Sequence, residues 1–548
     1  MDGPQDAPRP RSRAGSPPGS RTSPLPPFSA MVGLLLHLFV YVVVLLYSYA
    51  EELFAGKSED EGKKPGAAQQ GESSNPEEGA LRNCGPSPPA IHPERLEAFG
   101  EEGDSLNGGI RTREMKIMGQ REELLRGAPD LSRMTEKRSR HKMIRYEDIN
   151  AARLQIQMRI QKTPCTYSRL SKRYGMDIYL KKEFLQYTGS VKERGVLCLL
   201  TSLHQDQQRK GVIVATDSNF AMAVAHHATE LHIPVFVIMP TDTSPARVKM
   251  CRDYGAMVIA FGRTVEDSQG HAQTLARKNG YLYLEEEDSN AFLSGLGTVG
   301  LEIFEQVPQL EAVVFPAGGH CGLLAGSAAA LKHLNPHISV IGVEAERFPI
   351  PQQYLKTGHP IEGQACCSRD FYRDPSGPCF GDSAPELARR LTDKMVTVSE
   401  EDILLAMLRL LEYERATVDA EGAVGLAALV AGKLPEFKGK RVAVTVCSAN
   451  VELPLLRQCL DRALTLDARK CKFSVRMADS PGDLSKLLEL LAREEARLLD
   501  LQQERAFVTS ELFATKVTCV AETRDKQHTA RIHSLLQQRY PTLVWKER

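Results

Sequence analysis

The 548-residue sequence predicts an α/β protein built on a parallel sheet covered by helices on both faces, with a small β-α-β-β-α-β unit behind it. Two observations carry this. Short apolar runs, VIVA at 212, VFVIMP at 235, MVIAFG at 257, AVVFPAGG at 312, SVIGVE at 339 and VAVTVC at 442, are separated by helical patterns. Strands that are apolar at every position, rather than at alternate ones, belong to sheets buried on both sides. After Asp467 the rhythm changes: KFSVRM alternates as a strand, SPGDLSKLLELLAREE follows as a helix, and two further strand-like runs lie around 497–507 and 514–522. A helix at 525–539 and the strand TLVW close a ferredoxin-like unit over 470–546.

The elements before the sheet differ in kind. Residues 1–30 are rich in Pro, Ser and Arg and are expected to be disordered. Residues 31–50, MVGLLLHLFVYVVVLLYSYA, hold no charge and are long enough to cross ~30 Å of hydrocarbon, so they are expected to form a single-pass membrane anchor. Its rival is an N-terminal extension that is not used. Arg11, Arg13 and Arg21 on one side balance Lys57, Lys63 and Lys64 on the other, which leaves the orientation open. Residues 51–140 are Glu-, Lys-, Gly- and Pro-rich and read as a polar tether. Order is expected from about Met143, where Ile149, Ala152, Ile156 and Ile160 share a helical face. In the later helix Leu484, Leu487, Leu488 and Leu491 are expected to do the same.

Composition narrows the function. With 69 basic and 69 acidic residues the chain carries no net charge, and no basic arm or face points to nucleic acid. Twelve cysteines in so long a chain do not make a disulfide framework, and none is spaced as CxxC.

Ligands of parallel α/β sheets bind at the carboxyl ends of the strands, and four stretches there could carry chemistry. In YLKKEFLQYTGSVKERGV at 179–196, Lys192 follows a strand and opens a helix, with Arg194 and the helix N-terminus expected to help keep its amine unprotonated. In ATDSNFAMAVAHHA at 215–228, a polar turn offers N–H groups to a carboxylate, with Asn219 as a donor; a plain helix capped by Thr216 or Asp217 is the simpler reading. FPAGGHCGLLAG at 315–326 is a glycine loop before a helix, suited to phosphate but equally to a tight connection. In VTVCSANVEL at 444–453, Cys447 ends a buried strand.

In order and spacing these stretches resemble the serine/threonine dehydratase family, the fold-type II pyridoxal-phosphate enzymes that include serine racemase. KTPCTYSRLSKRYG at 162, PARVKMCRDYGAMVIAFG at 245, SGLGTVGLEI at 294, VSEEDI at 398 and VDAEGAVGLAAL at 418 support the likeness. The resemblance implies a two-lobed catalytic domain over 141–466 that eliminates ammonia from L-threonine or L-serine. It implies that Lys192 forms the Schiff base with pyridoxal 5'-phosphate and takes the α-proton. Asn219 would contact the cofactor ring, Cys447 its nitrogen, and Gly318, Gly319, His320 and Gly322 the phosphate. The 470–546 unit is similar to ACT-type domains, implying an amino-acid effector; a packing or dimerisation module is the alternative. A homo-oligomer, and a catalytic portion on the cytosolic side, are also implied.

The sequence departs from the family at three places. The substrate-carboxylate loop, Ser-x-Gly-Asn-His in the family, is Thr216-Asp217-Ser218-Asn219-Phe220, so Thr216 keeps a hydroxyl while Asp217 brings a negative charge. Serine racemase has a serine at the Asp217 position that protonates the opposite face of the α-carbon, so altered stereochemistry or substrate choice is expected. His320 and Cys321 interrupt the phosphate loop, and Asp419 stands where a glutamate is usual. Glu344 fits a position that helps hold a divalent cation in some members. These changes leave room for two other readings, a membrane-tethered cofactor and amino-acid sensor of weakened activity, and a serine racemase-like enzyme.

Overall fold

The computed structural model describes residues 144–286, 289–318, 321–347, 349–357, 383–505 and 512–546. The expected disordered segment, membrane anchor and tether lie outside them. Among the described residues no helix is long and apolar enough to cross a membrane.

Chain order runs α1 (Tyr146–Ile156), β1 (Cys165–Tyr167), β2 (Asp177–Lys182), α2 (Lys192–Ser202), β3 (Val212–Ala215), α3 (Asn219–Glu230), β4 (Val235–Met239), α4 (Pro245–Asp253), β5 (Met257–Ala260), α5 (Val265–Asn279), β6 (Leu282–Leu284) and α6 (Asn290–Gln306). It continues through β7 (Ala312–Pro316), α7 (Gly322–Leu334), β8 (Ser339–Ala345), β9 (Lys394–Val398), α8 (Glu400–Arg409), α9 (Ala420–Val430), β10 (Arg441–Val446) and α10 (Leu453–Leu466). These strands form two sheets. One has the order β1-β2-β10-β7-β8-β9 and is parallel except for the β1–β2 pair; the other, β5-β4-β3-β6, is parallel throughout. Each apolar run named above is a strand, and all four residues of β3 are buried, as a doubly covered strand requires. Fully burying one valine or isoleucine side chain stabilises the fold by roughly 1.5–3 kcal/mol, so these strands anchor both sheets. Strands β1, β6 and β9 carry weaker patterns; β6, with only three residues, is the edge partner of β3.

Helices fill the space between the sheets. Ile149, Ala152 and Ile156 of α1 are buried, and Ile160 is buried beyond its end, as their spacing predicts. Phe220 at the start of α3 meets Phe292 at the start of α6 edge-to-face, with ring centroids 5.7 Å apart. Beneath α2 lies a buried charge cluster. Arg194, 1% exposed, donates to both oxygens of Glu183 at 2.8 Å and to both of Glu302 at 2.8 and 2.9 Å. Lys181 donates to Glu302 at 2.5 Å and to the Thr163 carbonyl at 2.7 Å.

The C-terminal residues form a separate antiparallel sheet, ordered β12-β13-β11-β14, from β11 (Lys470–Ala478), α11 (Pro481–Arg493), β12 (Arg497–Glu504), β13 (Ala514–Glu522), α12 (Lys526–Arg539) and β14 (Val544–Lys546). This is the expected β-α-β-β-α-β order. Its core joins Phe473, Val475, Leu487, Leu491, Val517, Cys519, Ile532 and Leu536. Leu488 departs from the expected face and is 37% exposed. At about 40° from Leu484 and 60° from Leu491 around the helix, it lies on the edge of the stripe that borders solvent. The three residues joining α10 to β11 are held from both sides. Arg409 of α8 binds the Asp467 carboxylate and Arg469 binds Glu412, while Thr523 and Thr529 donate to the Ala468 carbonyl at 3.0 and 2.7 Å.

Candidate active site

Four loops at the carboxyl ends of parallel strands converge, two of them from each sheet. Lys192 is the first residue of α2, following β2, and its side chain is 7% exposed. The segment before it pairs with the segment after β10. Val191 N–H donates to the Cys447 carbonyl at 2.8 Å, Ala449 N–H donates to Gly189 at 3.0 Å, and Ser190 bridges Ser448. That short ladder sets Cys447, wholly buried, beside Lys192. Gly189 allows it: its φ is +74°, and a Cβ there would sit 2.9 Å from Asn450 Oδ1.

The second sheet supplies the opposite wall. Asn219 opens α3 after β3; its Nδ2 donates to Glu421 at 3.1 Å and its Oδ1 accepts from Asn450 at 2.9 Å. Glu421, in the first turn of α9, lies 3.8 Å from Lys192 Nζ, and its backbone carbonyl accepts from the Cys447 thiol at 3.2 Å. After β6 comes Glu286, whose Oε1 is 2.6 Å from Lys192 Nζ and whose Oε2 accepts from Ser218 Oγ at 3.3 Å. Lysine, asparagine and cysteine, widely separated in sequence, are thus brought together as expected.

Other expected site residues fare differently. Thr216 and Asp217 lie in the turn before α3, but neither caps it. Ser218 does, accepting from Phe220 N–H, while Thr216 Oγ1 accepts from Ser218 N–H at 3.2 Å. Ser218 is the residue immediately before the helix, the position a cap must occupy. Asp217 is buried, and its backbone carbonyl accepts from Arg247 at 2.6 Å. Gly318 and Gly322 flank the connection from β7 to α7; Gly319 and His320 lie outside the described residues. Cys321, with φ +60°, closes that turn and donates its thiol to the Ala317 carbonyl at 3.2 Å. Glu344 sits on β8, and its Oε2 accepts the Gln352 N–H at 3.1 Å. Among the described residues no three His, Cys, Asp or Glu side chains are grouped to hold a metal ion.

One expectation needs correcting. Arg194 does not help to keep the Lys192 amine neutral, because its guanidinium is locked onto Glu183 and Glu302 in the cluster beneath α2. Burial alone pulls Lys192 toward the neutral amine, but the carboxylates of Glu286 and Glu421 outweigh it and hold the ammonium above its ordinary pKa. Asp419, which stands where the resemblance has a glutamate, caps α9, accepting from Gly422 N–H at 2.8 Å and Ser448 Oγ at 2.6 Å. Two residues on, Glu421 joins Glu286 in facing Lys192. Burial, reinforced by Asp419 and Glu286, pushes the Glu421 pKa up against the pull of Lys192. Burial, with Glu421 and Asp419 adding to it, pushes the Cys447 thiol well up, so it stays neutral.

Sequence reasoning missed Glu286, Asn450 and Ser218. Glu286 belongs to the acidic run LEEEDS, which reads as a solvated loop, and only the pairing of β6 with β3 brings it inward.

This geometry agrees with the comparisons. The family model described as "Pyridoxal-phosphate dependent enzyme" matches residues 156–448. An L-threonine ammonia-lyase of Thermotoga maritima is 33% identical over 398 residues, covering 72% of this chain and 97% of the relative. The catabolic L-threonine dehydratase of Escherichia coli is 32% identical, covering 58% and 95%. Among solved structures, processed threonine deaminase isoform 2 of Solanum lycopersicum aligns with a TM-score of 0.55 at 28% identity, covering 58% of this chain and 87% of that one. Maize serine racemase aligns at 0.52 and 26%, covering 59% and 98%. With a buried lysine opening α2 in the two-sheet frame those relatives share, the chain belongs to the pyridoxal-phosphate-dependent enzyme family.

Proposed function

We propose that the chain is a pyridoxal-phosphate-dependent ammonia-lyase that converts L-threonine or L-serine to a 2-oxo acid and ammonia. The observation that carries it is the buried Lys192, tied through its own loop to a neutral Cys447, in a chain aligned along 97% of an L-threonine ammonia-lyase.

The residues present fit the cofactor. Thr188 Oγ1, four residues before Lys192, is buried with no hydrogen-bond partner among the described residues, and backbone crowds Gly422, where a Cβ would collide with the Ser448 carbonyl. Lys192 would hold the aldehyde carbon, Asn219 a ring oxygen, Cys447 the ring nitrogen, and Gly318, Gly319, His320 and Gly322 the phosphate. Once bound, the cofactor supplies a ring that withdraws electrons from the substrate α-carbon. A neutral thiol at the ring nitrogen gives it no proton, which suits elimination better than transamination. Lys192 Nζ takes the α-proton, and the Thr216 hydroxyl with the first N–H groups of α3 orients the substrate carboxylate.

Asp217 supports a second reading, serine racemase-like or of altered substrate choice, because it puts a buried carboxylate in the substrate turn. If Asp217→Ala leaves substrate preference, racemisation and rate unchanged, that reading is wrong. For the C-terminal unit we propose an ACT-like regulatory role with an amino-acid effector, supported by its β-α-β-β-α-β order and by relatives whose alignment spans 398 residues. The anchor at 31–50, the cytosolic placement of the head and a homo-oligomer are proposed on the sequence alone. A divalent cation at Glu344 is proposed on the resemblance alone; among the described residues no three His, Cys, Asp or Glu side chains are grouped to hold one.

The deciding experiment loads the full chain with pyridoxal phosphate and records its absorbance, then adds serine or threonine and measures 2-oxo acid. The reading predicts a visible band that Lys192→Ala abolishes, together with product. A band without product from either substrate refutes the lyase.

A further inference from the structure

Among the described residues Glu286 is the closest charged neighbour of Lys192, at 2.6 Å against 3.8 Å for Glu421. It arrives from the other sheet, on the loop after β6, with its side chain 11% exposed and its second oxygen bound by Ser218. The elimination needs two proton transfers, one from Cα and one to the oxygen on Cβ. Lys192 serves the first, and none of the residues assigned above serves the second.

We infer that Glu286 is the general acid that protonates the departing β-hydroxyl. The inference rests on the lyase reading. Lys192 Nζ takes the α-proton, and the electron pair of the broken C–H bond becomes the Cα=Cβ bond. Nζ, then an ammonium, releases a proton to Glu286 Oε1 across their hydrogen bond only as Glu286 hands one on to the departing oxygen, since the ion pair otherwise keeps the proton on nitrogen. The Cβ–O bond breaks with its pair on oxygen, which takes the proton from Glu286 and leaves as water. Lys192 returns to amine and Glu286 to carboxylate, so no outside acid or base is consumed. Ser218 holds the carboxylate through its other oxygen and leaves Oε1 directed at the lysine. Glu421 is the weaker candidate, because its Oε1 stands farther from Nζ, at 3.8 Å.

The test compares serine with β-chloroalanine, whose chloride leaves without a proton, in wild type and Glu286→Gln. General acid catalysis contributes ~10²–10⁴-fold, so the variant should lose at least ~100-fold more rate on serine than on β-chloroalanine. Absorbance titration with pyridoxal phosphate should still give the wild-type visible band, which separates loss of the acid from loss of the site. In D2O, serine recovered from Glu286→Gln should carry more α-deuterium per product formed than wild type gives, because abstraction continues while departure stalls. Equal slowing of both substrates, or equal rates in variant and wild type, overturns the inference. Wild type that turns over neither substrate overturns the lyase reading itself. A variant without the band is replaced by Glu286→Asp, where the same difference between substrates, smaller but in the same direction, must appear.

Discussion

Replacing Arg194 by methionine keeps much of the side-chain bulk and removes the guanidinium that donates to both oxygens of Glu183 and both of Glu302. Arg194 makes four contacts to these carboxylates, between 2.8 and 2.9 Å, at 1% exposure, and only Lys181 would remain to face both acids. Breaking a buried ion pair from one side costs about 3–5 kcal/mol, because the partner charge stays buried and uncompensated. At about 2–4 °C per kcal/mol for a domain of a couple of hundred residues, the thermal midpoint should fall by roughly 6–20 °C, read by circular dichroism or calorimetry. The pH profile gives an independent check. Burial works to raise the Glu183 pKa, but Arg194 and Lys181 outweigh it and hold the folded value below the ordinary one. The stability this contributes is therefore present above the unfolded carboxyl pKa, about 4.3, and lost as pH falls through the depressed folded value. Wild type should lose stability over that acid range, and Arg194→Met should lose less. A midpoint within 2 °C of wild type at pH 7, on the order of 1 kcal/mol or less, would show that the cluster is not coupled as described.

Two other substitutions probe the site walls. Gly422→Ala places a methyl against the Ser448 carbonyl, so α9 must shift; overpacking of this kind costs about 1–3 kcal/mol, and the melting temperature should fall with weaker cofactor retention on gel filtration. Asn450→Ala removes the donor to both Asn219 Oδ1 and the Thr188 carbonyl. Freed Asn219 should weaken pyridoxal-phosphate binding by roughly tenfold in a fluorescence titration, the scale of one net hydrogen bond, and unchanged binding would rule out that support.

The frame was legible because physics repeats itself along it. Strands such as β3 and β7 are buried on both faces, so every residue is apolar and the run stands out, whereas β6 is a three-residue edge strand whose middle residue is a tyrosine. Lys192, Asn219 and Cys447 were found because each ends a strand or opens a helix in a recognisable local setting. What escaped was tertiary. An acidic run looks solvated until a strand pairing turns one of its members inward, as happens to Glu286. Arg194 looked like an electrostatic aid to its neighbour Lys192, yet two positions along a helix is a rotation of 200°, which sends the two side chains to opposite sides.

The short connection from α10 to β11 has a mechanical consequence. Its three residues are pinned by Arg409 and Glu412 on one side and by Thr523 and Thr529 on the other, so the joint has little freedom to swivel. A twist of the C-terminal sheet is then carried as torque into α8 rather than absorbed in a slack hinge. The pins on the α8 side are charged and partly exposed, so salt should slacken the joint before it disturbs either fold that it connects.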